Sequence, residues 1–585
     1  MKNTIVGISC GHHESSVFFY NKETGNYLYL AEESVSRVKG DSKFPKFAIK
    51  YVEENNPELY SSVSTVVHFQ KPLRNYLGSG IFDIEKLTKD HKLLKFRQFH
   101  SGDIFIKKEI TKNFKNAKKI YYCSHHYSHV LTNIAFLPEL GEGEKRLHLI
   151  LDGYGDGNSG GVYLENYVNN KYNIEKIKSF HLQNSLGLMY SAVTEWAGFT
   201  PNEDEYKVMA IASFGSNTYS KIVDEICYFD EEKGEVIIDE SFFNFKDISE
   251  KTYKEKFNEY FGGADVTNLV PELLWGSNLA NVVAAFQRVL EKSIFSIIEF
   301  YINKIGINVN QKNALVCGGG VMHNSVLIGK LIEKYEQSVF VCPCPGDQGS
   351  SIGAANFGML VDNNELISKL SPFVGPVAED LNDYDHLFQK VGDVKESYQK
   401  IIELLDADET IATYSGKLEI GPRALGARSL ICNGNSSKAV ELLNEKRKKR
   451  EAFRPIAPIC NKKFLSQFIF PVNSESEIYN WMGAVIKMNS VKKIDNPSCV
   501  HHDNTIRVQT LMERKNENEP PSWDLIDKLL KKYNFVGNTS FNIAGDPMVF
   551  LAEDVYINLH RLDLKYVYNH GILFYVKDVY DKSYN

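Results

Sequence analysis

Twice in this chain an apolar run ends in an aspartate set among glycines. Leu149 to Leu151 leads into L-D-G-Y-G-D-G, and Val339 to Cys342 leads into P-G-D-Q-G-S. Short apolar runs of this kind read as buried strands. A carboxylate at a strand end beside a glycine loop therefore calls for an α/β arrangement with its functional groups at a sheet edge. A third stretch, N-A-L-V-C-G-G-G-V-M-H-N, has the strand and the glycine turn followed by a helix start, a seat for a nucleotide. There Gly318, Gly319 and Gly320 let backbone approach a ligand, and Asn324 is placed to hydrogen-bond its base or sugar.

The two aspartates gain meaning from C-S-H-H-Y-S-H, residues 123–129. On a helix, His125 and His129 stand one turn apart on one face, close enough to grip one metal ion. An isolated H-x-x-x-H is more often a solvated or core pair, but Asp152 and Asp347 supply a third and a fourth ligand and reverse that balance.

A chain of 585 residues has room for roughly two to four domains. With 43% hydrophobic and 24% charged residues it is neither disordered nor fibrous. The net charge of −7 gives no global basic footprint for nucleic acid. Nine scattered cysteines without a C-x-x-C pair indicate free thiols in a reducing compartment, not a disulfide framework or a zinc ribbon. The opening M-K-N-T-I-V-G-I-S-C-G enters a strand at once, and no apolar stretch approaches 18 residues, so the expectation is a soluble, cytoplasmic protein.

In chain order, strand Thr4 to Ser9, the turn G-H-H-E-S-S and strand Val17 to Tyr20 suit either phosphate binding or a plain hairpin. In L-A-E-E-S-V-S-R-V-K-G, Glu33, Arg37 and Lys39 put charges where a structural strand needs none. The Lys-rich run 86–97 reads as an exposed helix face, and 185–199 as a buried helix. Glu203, Asp204 and Glu205, with Lys207, precede another apolar helix and suit its N-terminus. Residues 216–270 form an aromatic, acidic insertion without a chemical signal, and 278–304 a long amphipathic helix. A domain boundary falls between about 360 and 385.

Beyond it, Arg423, Arg428, Lys448, Arg450 and Arg454 form a basic set broken by glycines, prolines and a phenylalanine. Fixed loops of this kind suit an anionic pocket better than a solvated helix face. Near the C-terminus Asn538, Ser540 and Asn542, in N-T-S-F-N, offer neutral donors and acceptors to the same pocket.

Taken together, H-H-Y-S-H, L-D-G-Y-G-D-G, E-D-E-Y-K-V-M-A, C-G-G-G-V-M-H-N, G-D-Q-G-S-S-I-G-A-A, E-I-G-P-R-A-L-G-A-R-S, K-K-R-E-A-F-R-P-I-A-P and N-T-S-F-N resemble, in order, the NodU/CmcH family of O-carbamoyltransferases. The resemblance covers essentially the whole chain. It implies a mixed α/β (α+β) fold, with an N-terminal actin-like ASKHA domain of the TsaD/Kae type over 1–365 and a YrdC-like domain over 366–585. It implies that the second domain makes a carbamoyl-adenylate from carbamoyl phosphate and ATP with Mg(II), and that the first passes the carbamoyl group to a hydroxyl. The family's metal ligands fall on His125, His129, Asp152 and Asp347, with Fe(II) the metal in related enzymes and zinc or manganese equally compatible with the donor set. Its carbamoyl-phosphate and ATP pocket falls on Arg423, Lys448, Arg454, Asn538 and Ser540, and Lys39 resembles a lysine that faces the adenylate in the first domain. Two departures, A-I-A for G-L-A and P-I-A-P for P-F-A-P, keep apolarity and change volume modestly.

The acceptor hydroxyl must lose a proton, for which His13 or His126 is the expected base. The acceptor is expected to be a small molecule such as a sugar or antibiotic, or a hydroxymethylated nucleotide or DNA, with no membrane partner and a homodimer as the assembly. Two other readings are a threonylcarbamoyl-type tRNA-modifying fusion, which the net charge of −7 disfavours, and a non-catalytic actin-like nucleotide-binding regulator, which leaves the arginines unexplained.

Overall fold

The computed structural model describes residues 3–71, 106–245, 251–267, 269–451, 453–454, 456–468, 476–488, 499–501, 503–511 and 519–578. The Lys-rich run 86–97 lies outside them. The chain is mixed α/β and forms two compact units, one of Met1–Tyr27 with Ser42–Leu370, the other of Leu28–Asp41 with Ser371–Asn585.

The first unit is built on two sheets. In one, β1 (Thr4–Ser9) pairs antiparallel with β2 (Ser16–Asn21) and parallel with β3 (Val63–His68), which pairs parallel with β4 (Lys119–Tyr122). Helix α1 (His125–Phe136) follows. In the other, β5 (Lys145–Gly155), β6 (Asn158–Val168) and β7 (Lys171–His181) form an antiparallel meander. After α2 (Leu186–Trp196) and the long α3 (Asn278–Ile305), β8 (Leu315–Gly318) pairs parallel with β5. Helix α4 (Ser325–Tyr335) leads to β9 (Val339–Phe340), parallel to β8, and α5 (Ser350–Asn363) closes the unit. Each sheet thus has an antiparallel hairpin on one side of its first strand and two parallel strands on the other. This repeated topology is the duplication an actin-like domain requires. The parallel strands Val63–His68, Leu315–Gly318 and Val339–Phe340 are almost wholly buried, as strands covered on both faces must be, while Lys119–Tyr122 at its sheet's edge is not.

Close helix approach depends on small residues. A Cβ on Gly7 would lie 1.8 Å from the Ser351 carbonyl oxygen, and one on Gly353 would lie 1.9 Å from that of Ser128. These two glycines let α5 lie against both β1 and α1.

The second unit centres on an eight-stranded mixed sheet. In chain order its strands are β10 (Phe388–Lys390), β11 (Ile411–Tyr414), β12 (Arg428–Asn433), β13 (Ala457–Cys460), β14 (Gln509–Thr510), β15 (Val536–Ser540), β16 (Tyr566–Asn569) and β17 (Ile572–Val576), arranged β10-β17-β16-β11-β12-β15-β13-β14. Its core includes Tyr414, Leu430, Phe541, Leu559 and Phe574. The charged stretch after Ala31 is a short helix, Glu32–Ser36, capped by Arg37 in the left-handed conformation. All nine cysteines are buried free thiols, and no helix among the described residues is long and apolar enough to cross a membrane.

Candidate active site

Helix α1 begins at His125, so both histidines lie in its first turns and face the end of β5. Three features hold that end in place. The Asp156 carboxylate accepts the His125 backbone N–H at 2.8 Å, and a side chain on Gly155 would place its Cβ 2.1 Å from His125 Cδ2. Asp152 Oδ1 accepts the N–H groups of Gly153 (2.8 Å) and Gly320 (3.3 Å), which leaves Oδ2 for the imidazoles. Asp347 sits in the turn before α5, where Ser9 Oγ donates to its carbonyl at 2.9 Å and Ser16 Oγ to that of Gln348 at 2.8 Å.

The four side chains converge. Asp152 Oδ2 is 3.0 Å from His125 Nε2 and 3.1 Å from His129 Nε2, and Asp347 Oδ1 is 3.4 and 3.3 Å from the same atoms. The two Nε2 atoms approach each other to 3.3 Å, and one ligand atom from each of the four residues lies within 4.8 Å of the others. Asp347 Oδ1 is buried without a well-directed hydrogen bond, as expected of a lone pair aimed at a shared point. Two imidazoles and two carboxylates form a donor set that suits Fe(II), zinc or manganese. Burial alone would depress both histidines, but the carboxylates outweigh it and lift His129 to about 10 and His125 in the same direction. Conversely, burial would raise Asp347, and the imidazoles hold it down at about 2.

Around this centre, His126 is buried, with its pKa driven well below the usual value first by burial and then by His125, and its Nε2 has no partner. His13 is exposed, near Glu205. His12, which sequence reasoning passed over, packs its ring edge-on against His125 at 5.6 Å and bonds Gln70 Oε1 at 2.6 Å; the doubled histidine beside Gly11 was its only signal. The glycine loop serves Asp152 directly: Gly319 has φ +88°, and its Cβ would meet the Leu151 carbonyl at 2.2 Å, while a Cβ on Gly318 would meet Asn133 Nδ2 at 2.4 Å. Asn324 caps α4 through Leu327 N–H at 3.0 Å and exchanges hydrogen bonds with Gln287, so its amide is spent inside the protein and not on a base or sugar.

The second unit gathers the cations. A π-helical turn, Leu442–Arg447, delivers Lys448 into the interior, where Nζ donates to the carbonyl of Ser540 (2.9 Å), to Asn542 Oδ1 (2.8 Å) and to the Asn542 carbonyl. Burial, followed by the charges of Arg450, Arg454 and Lys39, pushes its pKa well below the lysine range. Lys39 is exposed and groups with the second unit, where its charge acts on Lys448. Arg454 pairs with Glu451 at 3.1 Å. Arg507, which the sequence reading missed, joins them: its pKa is driven well below the usual range by burial, then by Arg423, Arg454 and Arg450. A single arginine in an apolar, strand-like run gave no sign of this. Arg428 is corrected as well, being fully buried over the Tyr414 ring, with its guanidinium given to the carbonyls of Ser415, Gly416 and Ala427. Asn538 spends its amide nitrogen on the Ala424 carbonyl (2.9 Å) and Gln509 (2.8 Å), leaving its buried Oδ1 unpartnered; Ser540 Oγ bonds Asn542 at 2.7 Å. Four arginines and a buried lysine held together repel one another, an arrangement that anion binding relieves.

Residues 4–356 match the family profile of the carbamoyltransferase N-terminus, and residues 402–575 that of the carbamoyltransferase C-terminus. The chain belongs to the carbamoyltransferase family. Among its relatives, an uncharacterized protein of Synechocystis is 25% identical over 96% of this chain and 95% of its own. The nodulation protein NolNO of Sinorhizobium fredii is 24% identical over 92% of this chain and 75% of its own. The 3'-hydroxymethylcephem-O-carbamoyltransferase of Streptomyces clavuligerus is 30% identical over 37% of this chain and 40% of its own. Among solved structures, full-length HypF in its phosphate- and nucleotide-bound form is 15% identical, with a TM-score of 0.31 over 62% of this chain and 56% of its own.

Proposed function

We propose that this carbamoyltransferase activates carbamoyl phosphate with ATP and Mg(II) to a carbamoyl-adenylate in its second unit, and delivers the carbamoyl group to an acceptor hydroxyl in its first. The observation that carries this reading is the arginine cluster around Lys448. Carbamoyl phosphate and ATP each bring several negative charges that repel one another, and Arg423, Arg450, Arg454 and Arg507 supply the opposing charge. Water attacks carbamoyl phosphate and the bond between the carbamoyl oxygen and phosphorus breaks to give inorganic phosphate and carbamate; a carbamate oxygen then attacks the α-phosphorus of ATP, and pyrophosphate leaves. Lys448, fixed by three acceptors, stays in place through these changes of charge.

In the first unit His125, His129, Asp152 and Asp347 would hold a divalent metal, which when bound supplies Lewis acidity toward the carbamoyl carbonyl and the adenylate phosphate. The acceptor oxygen attacks the carbamoyl carbon, the C–O bond to AMP breaks, and the acceptor proton goes to a base. Exposed His13 is better suited than His126, whose basicity burial has reduced. The acceptor is a hydroxylated small molecule or a hydroxymethylated nucleotide.

The test is pyrophosphate release from ATP and Mg(II), with and without carbamoyl phosphate, in the intact protein and in Arg454→Ala. Release that requires both carbamoyl phosphate and Arg454 is expected. ATP binding without release would defeat the reading and favour a nucleotide-binding regulator.

A further inference from the structure

Arg423 sits in the loop 420–427, and the C-terminal half of that loop is held by a set of hydrogen bonds. The Gly426 carbonyl accepts from Thr413 Oγ1 (2.8 Å) and Ser522 Oγ (2.6 Å), and the Leu425 carbonyl from Trp523 Nε1 (2.7 Å) and Gln509 Nε2 (3.0 Å). The Gly426 N–H goes to Ser429 Oγ at 2.9 Å. Two further amides, Leu425 N–H at 2.8 Å and, at the start of the strand that follows the loop, Arg428 N–H at 3.2 Å, converge on one atom, Oε1 of Glu419.

Glu419 is an unusual residue to spend on a loop. It is only 3% exposed, lies on the short strand Lys417–Glu419, and has a buried second oxygen, Oε2, without a partner. Burial pushes the Glu419 carboxyl above its usual range and the charge of buried Arg428 and the loop amides only partly offset this, so what a carboxylate adds here is the geometry it enforces. The other supports of the same stretch act through neutral groups. Glu419 is the member that draws Leu425 and Arg428 to one point and so closes the turn that presents Arg423.

We propose that Glu419 is a positioning residue for Arg423: Oε1 gathers the Leu425 and Arg428 amides and thereby fixes the loop whose guanidinium meets the anionic substrate. The role depends on where an oxygen acceptor stands, not on its charge. This rests on the reading of the arginine cluster as an anion pocket.

The experiment is a binding titration of the full-length protein with inorganic pyrophosphate, for wild type, R423A, E419Q, E419D, E419A and the double variant E419D/R423A. Folding is monitored by circular dichroism. E419Q keeps an oxygen at the Oε1 position and is expected to bind within about threefold of wild type. E419D keeps the charge but withdraws the acceptor by one methylene, and E419A removes it; each is expected to lose at least tenfold. In the R423A background E419D is expected to add nothing, because its effect passes through Arg423. If E419D binds as wild type, or if its loss adds in full to that of R423A, the proposal is overturned; should E419A not fold, E419D and E419Q still decide it. A separate result, R423A binding pyrophosphate as well as wild type does, would instead overturn the anion pocket itself.

Discussion

Asp152 divides its two oxygens between tasks, Oδ1 to the amides of Gly153 and Gly320 and Oδ2 to the imidazoles. This fixes the carboxylate before any ligand arrives. Because His129 is lifted to about 10 from an unfolded value of 6.5, it carries a proton near neutral pH that a metal must displace. Metal affinity should therefore rise by up to about tenfold per pH unit for each proton released, until pH passes about 10, as measured by chelator competition at two pH values. The same shift has a sign for stability in the metal-free protein. The raised pKa contributes fully below pH 6.5 and is lost as pH climbs through about 10, so a metal-free unfolding series should show stability falling across that window. Lys448 shifts the other way. Its folded pKa lies well below the lysine range, so pyrophosphate binding at pH 9 should be accompanied by proton uptake, seen as a buffer-dependent heat in calorimetry. A binding heat independent of the buffer would remove Lys448 from the pocket's electrostatics. At this scale the sequence exposed residues that repeat a recognisable spacing and hid those, such as Arg507 and His12, whose importance comes from neighbours distant in the chain.

Among the elements, α5 matters most to the first unit, because it starts directly after the Asp347 turn and packs on both β1 and α1. Gly353→Ala would gain up to about 1 kcal/mol of helix propensity. The added Cβ would lie 1.9 Å from the Ser128 carbonyl, and overpacking of that kind costs about 1–3 kcal/mol, so the clash wins. The variant should unfold at lower denaturant and also bind metal more weakly, since the helix carries the Asp347 turn; a variant equally stable and equally avid would contradict the packing argument. Asn324→Ala should cost about 1 kcal/mol, because it removes the α4 cap and the hydrogen bonds with Gln287, which keeps those to Tyr190 and Glu291, while leaving ATP affinity unchanged. Strands and helices were legible here because their periodicity is local: β1, α2 and α3 fall where the apolar pattern puts them. The stretch after Ala31 was not, since a short helix of mixed polarity carries too few residues for any period to show.

For the whole molecule, the decisive prediction separates the two half-reactions. His125→Ala should abolish carbamoyl transfer while pyrophosphate release continues, and Arg454→Ala should abolish both. Loss of pyrophosphate release in His125→Ala would refute the division of labour between the units. What the sequence determined by itself was the family and the repeated strand-and-glycine design, together with the four residues of the first unit's cluster. Each of those rests on spacing along a helix or on a loop that only glycine can form, and both are written in neighbouring residues. Only the tertiary structure decided how the cations are used. It buried Arg428 against carbonyls, placed Lys39 beside Lys448 and added Arg507 to the arginines. The reason is physical: a guanidinium in a sequence has the same charge whether it will meet a backbone carbonyl, a carboxylate or a phosphate, and only its surroundings in space choose among them.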